Sequence, residues 1–298
     1  MERVRHLTPA RVSLSAFRKA SLFLEAIRFS ESIFALPFAY TGMVLAAQGL
    51  PTWHQFAWIT VAMVSARTVG MAANRVIDRH LDSRNPRNAG RHLPSGKLTA
   101  VDMIALALVS LGVLFVAAAQ LNTLALILAP VAAAYLIIYP YTKRFTWTAN
   151  LALGWALAIA PSAAWIGVTG SMGWHPFLLS LSVALWAGSF DIIYHVQDME
   201  FHVREGLHSV AERFGIVAAF WWARVLDTMA VTCLLSLGLW MGLDWPFFIG
   251  WAATAGLLVY KHRLVSPGDT SRLGMAFFRI NAYVSTSVLA ATLAAVLI

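Results

Sequence analysis

Charged residues are scarce in this sequence, and their scarcity limits the class of protein. Asp, Glu, Lys and Arg make up 12% of the 298 residues, about half of the share that soluble domains usually carry. Hydrophobic residues make up 59%, and the mean hydropathy is +0.68. These values lie outside the range of ordinary soluble domains and indicate a membrane protein.

The sequence has little cysteine and no recognisable cleavable targeting signal. The single Cys233 excludes internal disulfides and cysteine-rich metal sites. The histidines that lie among the polar segments include no HxxxH or HExxH pair of the kind that binds zinc. The first twenty residues are basic and have no apolar core, so no signal peptide is expected. We predict that residues 1–20 form a basic amphipathic segment on the anionic cytoplasmic surface of a membrane.

Long apolar runs fill most of the remaining chain. A helix needs about 20 mainly apolar residues to cross a bilayer. The sequence therefore predicts an all-α, polytopic membrane protein with one domain over residues 21–298. It predicts nine transmembrane helices, at 22–47, 53–73, 102–119, 122–139, 147–168, 176–197, 216–241, 245–262 and 275–297. The 122–139 segment is short for a span and is interrupted by Pro130.

The predicted loops on one side of the membrane lack positive charge. QLNT, TGSMGWHP and MGLDWP contain no Lys or Arg. Of the 22 Lys and Arg residues, 18 fall in segments on the opposite side, and Lys261 is one of these 18. The side with more positive charge is normally the cytoplasmic side. This asymmetry places the N-terminus in the cytoplasm and the C-terminus outside, in what we expect to be a bacterial inner membrane. It accounts for the net charge of +8 without a nucleic-acid partner.

Two short windows, both predicted on the cytoplasmic side, hold five of the 14 Asp and Glu residues. In NRVIDRHLDSRNPRNAGRHLPSGK, which begins at residue 74, the residues Asn74, Asp78 and Asp82 are spaced by four and form one stripe on a helix. In DIIYHVQDMEFH the stripe consists of Asp191, Tyr194, Asp198 and His202. The same separation in sequence relates Asn74 to Tyr194, Asp78 to Asp198 and Asp82 to His202. Matched spacing of this kind is expected of two related four-helix halves, with motifs at 74–82 and 191–202.

Facing carboxylates in a membrane bundle need cations between them. An ionised Asp costs about 2.5–3.5 kcal/mol on insertion scales, and like charges repel. Mg²⁺ prefers oxygen ligands and completes its shell with phosphate oxygens. Basic side chains nearby are suited to hold the rest of a diphosphate; they are Arg67, Arg87, Arg91, Lys97, Lys143, Arg144 and Arg204. The pattern predicts a Mg²⁺–diphosphate site for a substrate with a lipid-soluble tail.

Two other classes are compatible with some of these features. A secondary transporter also contains internal repeats and intramembrane acids, but it would place those acids near the bilayer midplane and break its helices there. A CDP-alcohol phosphotransferase would carry a glycine-spaced acidic pattern that is missing from this sequence. The transporter remains the alternative prediction.

The motifs resemble those of the UbiA superfamily of intramembrane aromatic prenyltransferases. NRVIDRHLD followed by RHLPSG is similar to the first family motif, N-[DR]-x-x-D-x-x-x-D, and DIIYHVQD is similar to the second, D-x-x-Y-x-x-x-D. IRFSESIFALPFAY, ARTVGMAAN, YPYTKRFT and GLHSVAERFG match further segments in family order. Within the superfamily, the chain is most similar to the 4-hydroxybenzoate polyprenyltransferase branch, which includes menaquinone-pathway members.

The resemblance implies nine helices around a central cavity, two Mg²⁺ ions, and a polyprenyl diphosphate that enters from the lipid. The implied metal ligands are Asn74, Asp78 and Asp82 for one ion and Asp191 and Asp198 for the other. The implied contacts with the diphosphate or the acceptor's carboxylate are Arg67, Lys143 and Arg144, and Tyr194 would support the second motif. Together with Asn74 and Arg91, these residues form the predicted substrate site.

The predicted activity is Mg²⁺-dependent transfer of a polyprenyl group to an aromatic acid in ubiquinone or menaquinone biosynthesis. The acceptor is 4-hydroxybenzoate or a dihydroxynaphthoate, and the four aspartates of the motifs are the predicted catalytic residues. One position departs from the family pattern. His202 stands where relatives often carry an acid, and Glu200 is the acid that could compensate.

Overall fold

The computed structural model describes residues 19–298, so the predicted segment at 1–20 lies, apart from its last two residues, outside the described residues. The described part is built from helices, which confirms the all-α prediction. In chain order the helices are α1 (19–26), α2 (Leu36–Ala47), α3 (Trp53–Ile77), α4 (Arg79–Arg84), α5 (Ala100–Leu121), α6 (Thr123–Ile138), α7 (Ala149–Thr169), α8 (Trp174–His195), α9 (Met199–Glu205), α10 (Val210–Met241), α11 (Trp245–Leu264) and α12 (Leu273–Leu297).

Within residues 19–298, eight helical segments are long and apolar enough to cross a membrane. The chain is thus a multi-pass membrane protein, as predicted, while the number of nine spans stays a prediction. The ninth candidate, α11, is 20 residues long, but its last turn contains Lys261, His262 and Arg263. The expectation of one continuous helix over 22–47 is wrong. Arg28 adopts left-handed backbone angles (φ 49°, ψ 55°) between α1 and a 3₁₀ turn, and a right-handed helix cannot continue through them.

The short segment that contains Pro130 reaches spanning length in an unpredicted way. Helix α6 ends at Ile138, and a 3₁₀ turn at Tyr139–Arg144 extends it, so that the helical segment covers 22 residues. Pro130 lies inside α6 without ending it, as membrane helices tolerate when neighbouring groups satisfy the freed backbone carbonyl. The extension carries two basic residues towards the end of α3.

Small residues let the central helices approach closely. A Cβ atom added to Gly154 of α7 would lie 2.2 Å from the carbonyl oxygen of Ala184 in α8. One added to Gly42 of α2 would lie 2.4 Å from the carbonyl oxygen of Pro161 in α7. Close packing of this kind contributes to helix association in lipid, where the hydrophobic effect between helices is lost. Helices α2, α7 and α8 therefore form a tightly packed group.

Helix α8 belongs to the most buried of the candidate membrane spans, and most of its residues from Pro176 to Ile193 are buried. Its aromatic side chains pack in series. The ring centroids of Phe38 and Trp186 lie 5.0 Å apart, and those of Trp186 and Phe190 lie 4.9 Å apart. Packing on this scale fixes the orientation of the last turn of α8, where the second motif begins.

A buried ion cluster joins α8, α10 and α11. The Lys261 Nζ atom lies 2.6 Å from Asp227 Oδ2, and His262 Nε2 lies 2.7 Å from the same oxygen. Lys261 also donates to Ser189 Oγ at 3.2 Å. Asp227 and Lys261 are only 3% and 1% exposed. The assignment of Lys261 to a cytoplasmic loop was therefore wrong, because this lysine lies inside the bundle and pairs with an acid there.

Candidate active site

A cavity of about 630 Å³ lies between α3, α5, α6, α7 and α8. One end is polar and is lined by the two aspartate motifs and several basic side chains. The rest of the wall is largely apolar and includes Leu114, Leu121, Leu128, Trp155 and Ile159. A cavity divided in this way suits a ligand with an anionic head and a hydrocarbon tail.

The first motif lies where α3 ends. Asp78 separates α3 from α4 with φ −93° and ψ 2°, in the sparsely populated bridge region of backbone angles. The helical hydrogen bonds continue across this break: the Asp78 N–H donates to the Asn74 carbonyl at 3.0 Å, and the Asp82 N–H donates to the Asp78 carbonyl at 2.7 Å. All three side chains line the cavity. The two aspartates are 3% and 5% exposed.

The second motif has a similar local geometry. Helix α8 ends at His195, a 3₁₀ turn covers Val196–Asp198, and α9 follows. Asp198 has φ −99° and ψ 6°, close to the angles of Asp78. Asp191, Tyr194 and Asp198 line the same cavity as the first motif. The two windows thus share backbone geometry as well as spacing, while two related four-helix halves stay a prediction.

Basic side chains pair with both aspartates of the first motif. Lys143 Nζ donates to Asp78 Oδ2, and Arg144 Nη2 lies 3.5 Å from Asp78 Oδ1. Arg91 Nη1 donates to both oxygens of Asp82 at 2.8 Å. Lys143 and Arg91 line the cavity, whereas Arg144 is not part of its wall. The bundle therefore brings the predicted diphosphate contacts next to the predicted metal ligands.

Side chains from outside both motifs hold Asp198. Asn85 Nδ2 donates to Asp198 Oδ1 at 3.0 Å, and Arg87 Nη2 lies 2.7 Å from Asp198 Oδ2. The guanidinium of Arg87 also lies over the Tyr194 ring, 4.7 Å from its centroid. Asn85 and Arg87 belong to the loop between α4 and α5, so a segment that follows the first motif reaches the second.

Asp191 is held by a separate set of groups. Asn150 Nδ2 donates to Asp191 Oδ2 at 2.8 Å, and His195 Nδ1 lies 3.0 Å from Asp191 Oδ1. Asn150 Oδ1 accepts a hydrogen bond from the Val210 N–H at 3.2 Å. One buried amide thus connects the starts of α7 and α10 to the second motif.

Another basic corner of the cavity contains Arg28, Arg67 and Glu31. Arg28 Nη1 lies 2.8 Å from Glu31 Oε1, and Arg67 Nη2 donates to the Arg28 carbonyl at 3.2 Å. Burial alone would lower the pKa of Arg28, but the charge of Glu31 and the hydroxyl of Tyr194 outweigh burial, and the pKa is raised. Arg67 Nε is buried without a hydrogen-bond partner among residues 19–298. Two arginines and one glutamate leave a net positive charge that suits an organic anion.

The family departure at His202 is visible in the structure. His202 is 7% exposed and lines the cavity, and its ring stacks on that of His195 with centroids 5.8 Å apart. Glu200 is exposed and is not part of the cavity wall. Glu200 therefore does not take the place of the missing acid, and the cavity presents an imidazole at this position.

The spacing of the motifs does not identify Asn85, Asn150 or His195 as partners of the motif aspartates. Asn150 is 3% exposed and begins an otherwise apolar helix, so an isolated polar residue in an apolar run was the available signal. Asn85 lies in a window crowded with polar residues, where spacing alone gave it no distinction. His195 was one of several histidines near the motif.

The side-chain atoms of the two motifs that are suited to bind a metal ion are mainly carboxylate and amide oxygens. Among residues 19–298, no group of three or more His, Cys, Asp and Glu side chains is placed to hold a metal ion by itself. Mg²⁺ usually takes one or two carboxylates and fills its shell with waters and substrate phosphates. Asp78 Oδ1 is buried and accepts no hydrogen bond from the described residues. The donor set therefore fits a divalent ion that arrives together with a diphosphate.

Residues 35–283 match the model of the UbiA prenyltransferase family. A 4-hydroxybenzoate octaprenyltransferase from Aliivibrio fischeri is 29% identical over 288 residues, which cover 94% of this chain and 99% of that protein. One from Vibrio cholerae is 27% identical, with coverage of 93% and 98%. The match extends over both motifs and nearly all of the helices.

Solved structures share the fold. A UbiA homolog from Aeropyrum pernix K1 aligns with a TM-score of 0.81 at 28% identity, and the alignment covers 88% of this chain and 96% of that one. A UbiA homolog from Archaeoglobus fulgidus bound to DMAPP and Mg²⁺ aligns with a TM-score of 0.67 at 16% identity, over 89% and 98% of the two chains. The second likeness is one of fold alone.

Proposed function

This chain belongs to the UbiA prenyltransferase family, and from that premise we propose that it transfers a polyprenyl group from a polyprenyl diphosphate to an aromatic acid in quinone biosynthesis, with Mg²⁺ as its cofactor. The observation that carries the proposal is the divided cavity, with both motifs and their basic partners at one end and an apolar wall beyond. 4-Hydroxybenzoate is the favoured acceptor, because relatives named for that substrate align with almost the whole chain. A dihydroxynaphthoate carries the same carboxylate and is the second candidate.

The aspartate motifs bind the head of the prenyl donor. Asn74, Asp78 and Asp82 would hold one Mg²⁺ ion, and Asp191 and Asp198 would hold the second. The bound ions supply Lewis-acid neutralisation of the charge that builds on the departing diphosphate. The same aspartates keep the basic side chains in position around the diphosphate.

Lys143 and Arg91 bind the diphosphate from the cavity wall, and Arg144 supports Asp78 from outside that wall. Lys143 and Arg144 approach Asp78 from the 3₁₀ turn after α6, and Arg91 approaches Asp82 from the loop before α5. Donors fixed before the reaction stabilise negative charge on the leaving group with little reorganisation. Cleavage of the bond between carbon and oxygen is thereby favoured at this end of the cavity.

The apolar wall of the cavity holds the prenyl chain and excludes water. Leu121, Leu128 and Trp155 contribute to that wall. An allylic cation that forms beside them cannot be captured by water, so it persists until the acceptor ring attacks. The wall therefore directs the reaction towards transfer and away from hydrolysis.

Arg67 and Arg28 bind the carboxylate of the acceptor. Both line the cavity, and the buried Arg67 Nε offers a donor that no described residue uses. A carboxylate held there leaves the opposite side of the ring, with its phenol hydroxyl and the adjacent carbon, towards the diphosphate. The ring carbon forms the new bond and then loses its proton.

The orientation follows from the positions of the basic residues. We place the end of the bundle that carries both motifs at the cytoplasmic face of a bacterial inner membrane, with the N-terminus inside and the C-terminus outside. This orientation supports access by a water-soluble aromatic acid from the cytoplasm and by the prenyl donor from the lipid. The family match favours a transferase over the transporter alternative.

The decisive experiment measures product formation by the purified protein. Wild-type protein is given 4-hydroxybenzoate or a dihydroxynaphthoate, polyprenyl diphosphates of several lengths, and Mg²⁺, and the products are identified by mass spectrometry. Asp78→Ala and Asp198→Ala should each lower the transfer rate by at least about a hundredfold. Asp244→Asn is the matched control, since Asp244 is exposed in the loop between α10 and α11. Near-normal transfer by either alanine variant at ordinary Mg²⁺ would show that the proposed mechanism is wrong.

A further inference from the structure

The loop between α4 and α5 fixes both oxygens of Asp198. Asn85 donates to Oδ1 at 3.0 Å, and Arg87 approaches Oδ2 to 2.7 Å. Asn85 is only 5% exposed and lines the cavity beside Asp198. Asn85 lies outside both motifs, so the motif sequences alone do not reveal this hydrogen bond to Asp198.

The orientation of the Asn85 amide is determined by its second contact. Asn85 Oδ1 accepts a hydrogen bond from the Arg87 N–H at 3.0 Å, which forms an Asx turn. The Asn85 carbonyl accepts from the N–H groups of Asn88 and Ala89, each at 2.9 Å. Since the amide oxygen already faces an N–H donor, the NH₂ group faces Asp198 and the assignment of the two atoms is consistent.

The same loop also holds the first motif. Arg91 donates to both oxygens of Asp82 at 2.8 Å, and the Arg91 N–H donates to the Asn88 carbonyl at 2.9 Å. A short segment, residues 85–91, thus contacts one aspartate of each motif. This segment therefore links the two motifs through side-chain contacts.

An amide and a guanidinium have different consequences for a carboxylate. Arg87 brings a positive charge that competes with a metal ion for Asp198, and its side chain is able to move onto a phosphate. Asn85 donates a hydrogen bond without adding charge, so the carboxylate keeps its full attraction for a cation. Groups that orient metal-binding side chains in this way typically contribute 10–100-fold to metal affinity or activity.

We propose that Asn85 is a positioning residue for the second motif: it holds the Asp198 carboxylate in the orientation that binds a divalent ion together with a diphosphate. This inference rests on the proposed function, and it assigns a role to a residue outside both motifs. Asn85 acts through Asp198 and does not contact the reacting carbon atoms.

The test measures binding of Mn²⁺ in the presence of inorganic pyrophosphate, by the loss of the free-ion signal in electron paramagnetic resonance. Asn85→Ala removes the donor, and Asn85→Leu keeps a similar side-chain size but has no donor for Asp198. Both variants should bind Mn²⁺ at least about tenfold more weakly than wild type. Gln120→Ala is the control, because Gln120 is exposed near the end of α5 and is not part of the cavity wall.

A double-mutant comparison separates positioning from general stabilisation. If Asn85 acts through Asp198, then Asn85→Ala should weaken Mn²⁺ binding by less than about twofold in a chain that already carries Asp198→Ala. A lower melting temperature with unchanged Mn²⁺ affinity would identify Asn85 as merely structural and would overturn the proposal. So would wild-type affinity in both Asn85 variants.

The same experiment distinguishes this inference from the function beneath it. Wild-type protein that binds Mn²⁺ and pyrophosphate and transfers prenyl groups, beside Asn85 variants that bind equally well, would overturn the role of Asn85 alone. Wild-type protein that neither binds the pair nor transfers a prenyl group would overturn the proposed function, and the role of Asn85 with it.

Discussion

Replacing Asp227 by asparagine should destabilise the bundle through residues that do not line the cavity. The Asp227 carboxylate holds the ammonium of Lys261 at 2.6 Å and the ring of His262 at 2.7 Å. Asparagine has nearly the same shape but carries no charge. After the change, Lys261 would remain 1% exposed, and its ammonium would face neutral oxygens such as Ser189 Oγ, at 3.2 Å, with no counter-charge from Asp227.

The expected cost follows from the isolation of that ammonium group. Removing one partner of a buried ion pair costs about 3–5 kcal/mol, because the other charge stays buried and unpaired. At roughly 2–4 °C per kcal/mol for a protein of this size class, even the lower figure corresponds to a fall of about 6–12 °C in melting temperature. The Asp227 pair is thus predicted to have a larger effect on stability than most single side chains.

Cys233 provides the assay, because it is the only cysteine in the chain and lies in α10 near the cluster. A maleimide that becomes fluorescent on reaction with a thiol reports the unfolding of α10 in detergent as the temperature rises. Asp244→Asn removes the same charge at an exposed position and should leave the melting temperature within about 1 °C of wild type.

A compensated variant tests the physical reason for the loss. Asp227→Leu combined with Lys261→Met removes both charges and replaces them with apolar side chains, which is often neutral for buried pairs. The double variant should recover at least half of the melting temperature lost by Asp227→Asn. A single variant that melts like wild type, or a double variant as unstable as the single one, would refute the reasoning.

Two further predictions concern helix packing and the acceptor. Gly154→Ala should lower the melting temperature by about 4 °C or more. Its methyl group would lie 2.2 Å from the Ala184 carbonyl oxygen and force α7 away from α8. Gly112→Ala, which has open space around the added methyl group, should not lower the melting temperature in the same detergent assay. Arg67→Lys should raise the KM for the carboxylated acceptor by about tenfold and leave the KM for the polyprenyl diphosphate nearly unchanged, because lysine keeps the charge but loses the planar fork. Steady-state kinetics with each substrate varied in turn provides the check, and an unchanged acceptor KM would contradict the assignment.

The helices and their boundaries follow closely from the sequence, because they depend on local properties. A run of apolar residues forms a helix in lipid wherever no residue interrupts it, and the predicted segment at 102–119 lies within α5. The predicted segment at 216–241 lies within α10 and follows a break in that helix, since Gly215 has non-helical angles (φ 83°, ψ 166°) that suit glycine. The prediction of one continuous helix over 22–47 is wrong because Arg28 has left-handed backbone angles. The residues next to Arg28 in the sequence do not predict such angles.

The contacts of individual charges could not be derived in the same way. Lys261 stands beside other basic residues at a helix end, so its local composition resembles that of a loop, and only the packing of α8, α10 and α11 places it against Asp227. Asn85 is likewise one polar residue among many until the loop meets the second motif.

The sequence by itself determined that this protein crosses a membrane and that its two acidic motifs have matched spacing. Hydropathy and periodicity depend only on residues that are close together in the chain. Only the tertiary structure decided which amide or cation each aspartate meets. Those partners are distant along the chain, and their contacts exist only once the helices have packed.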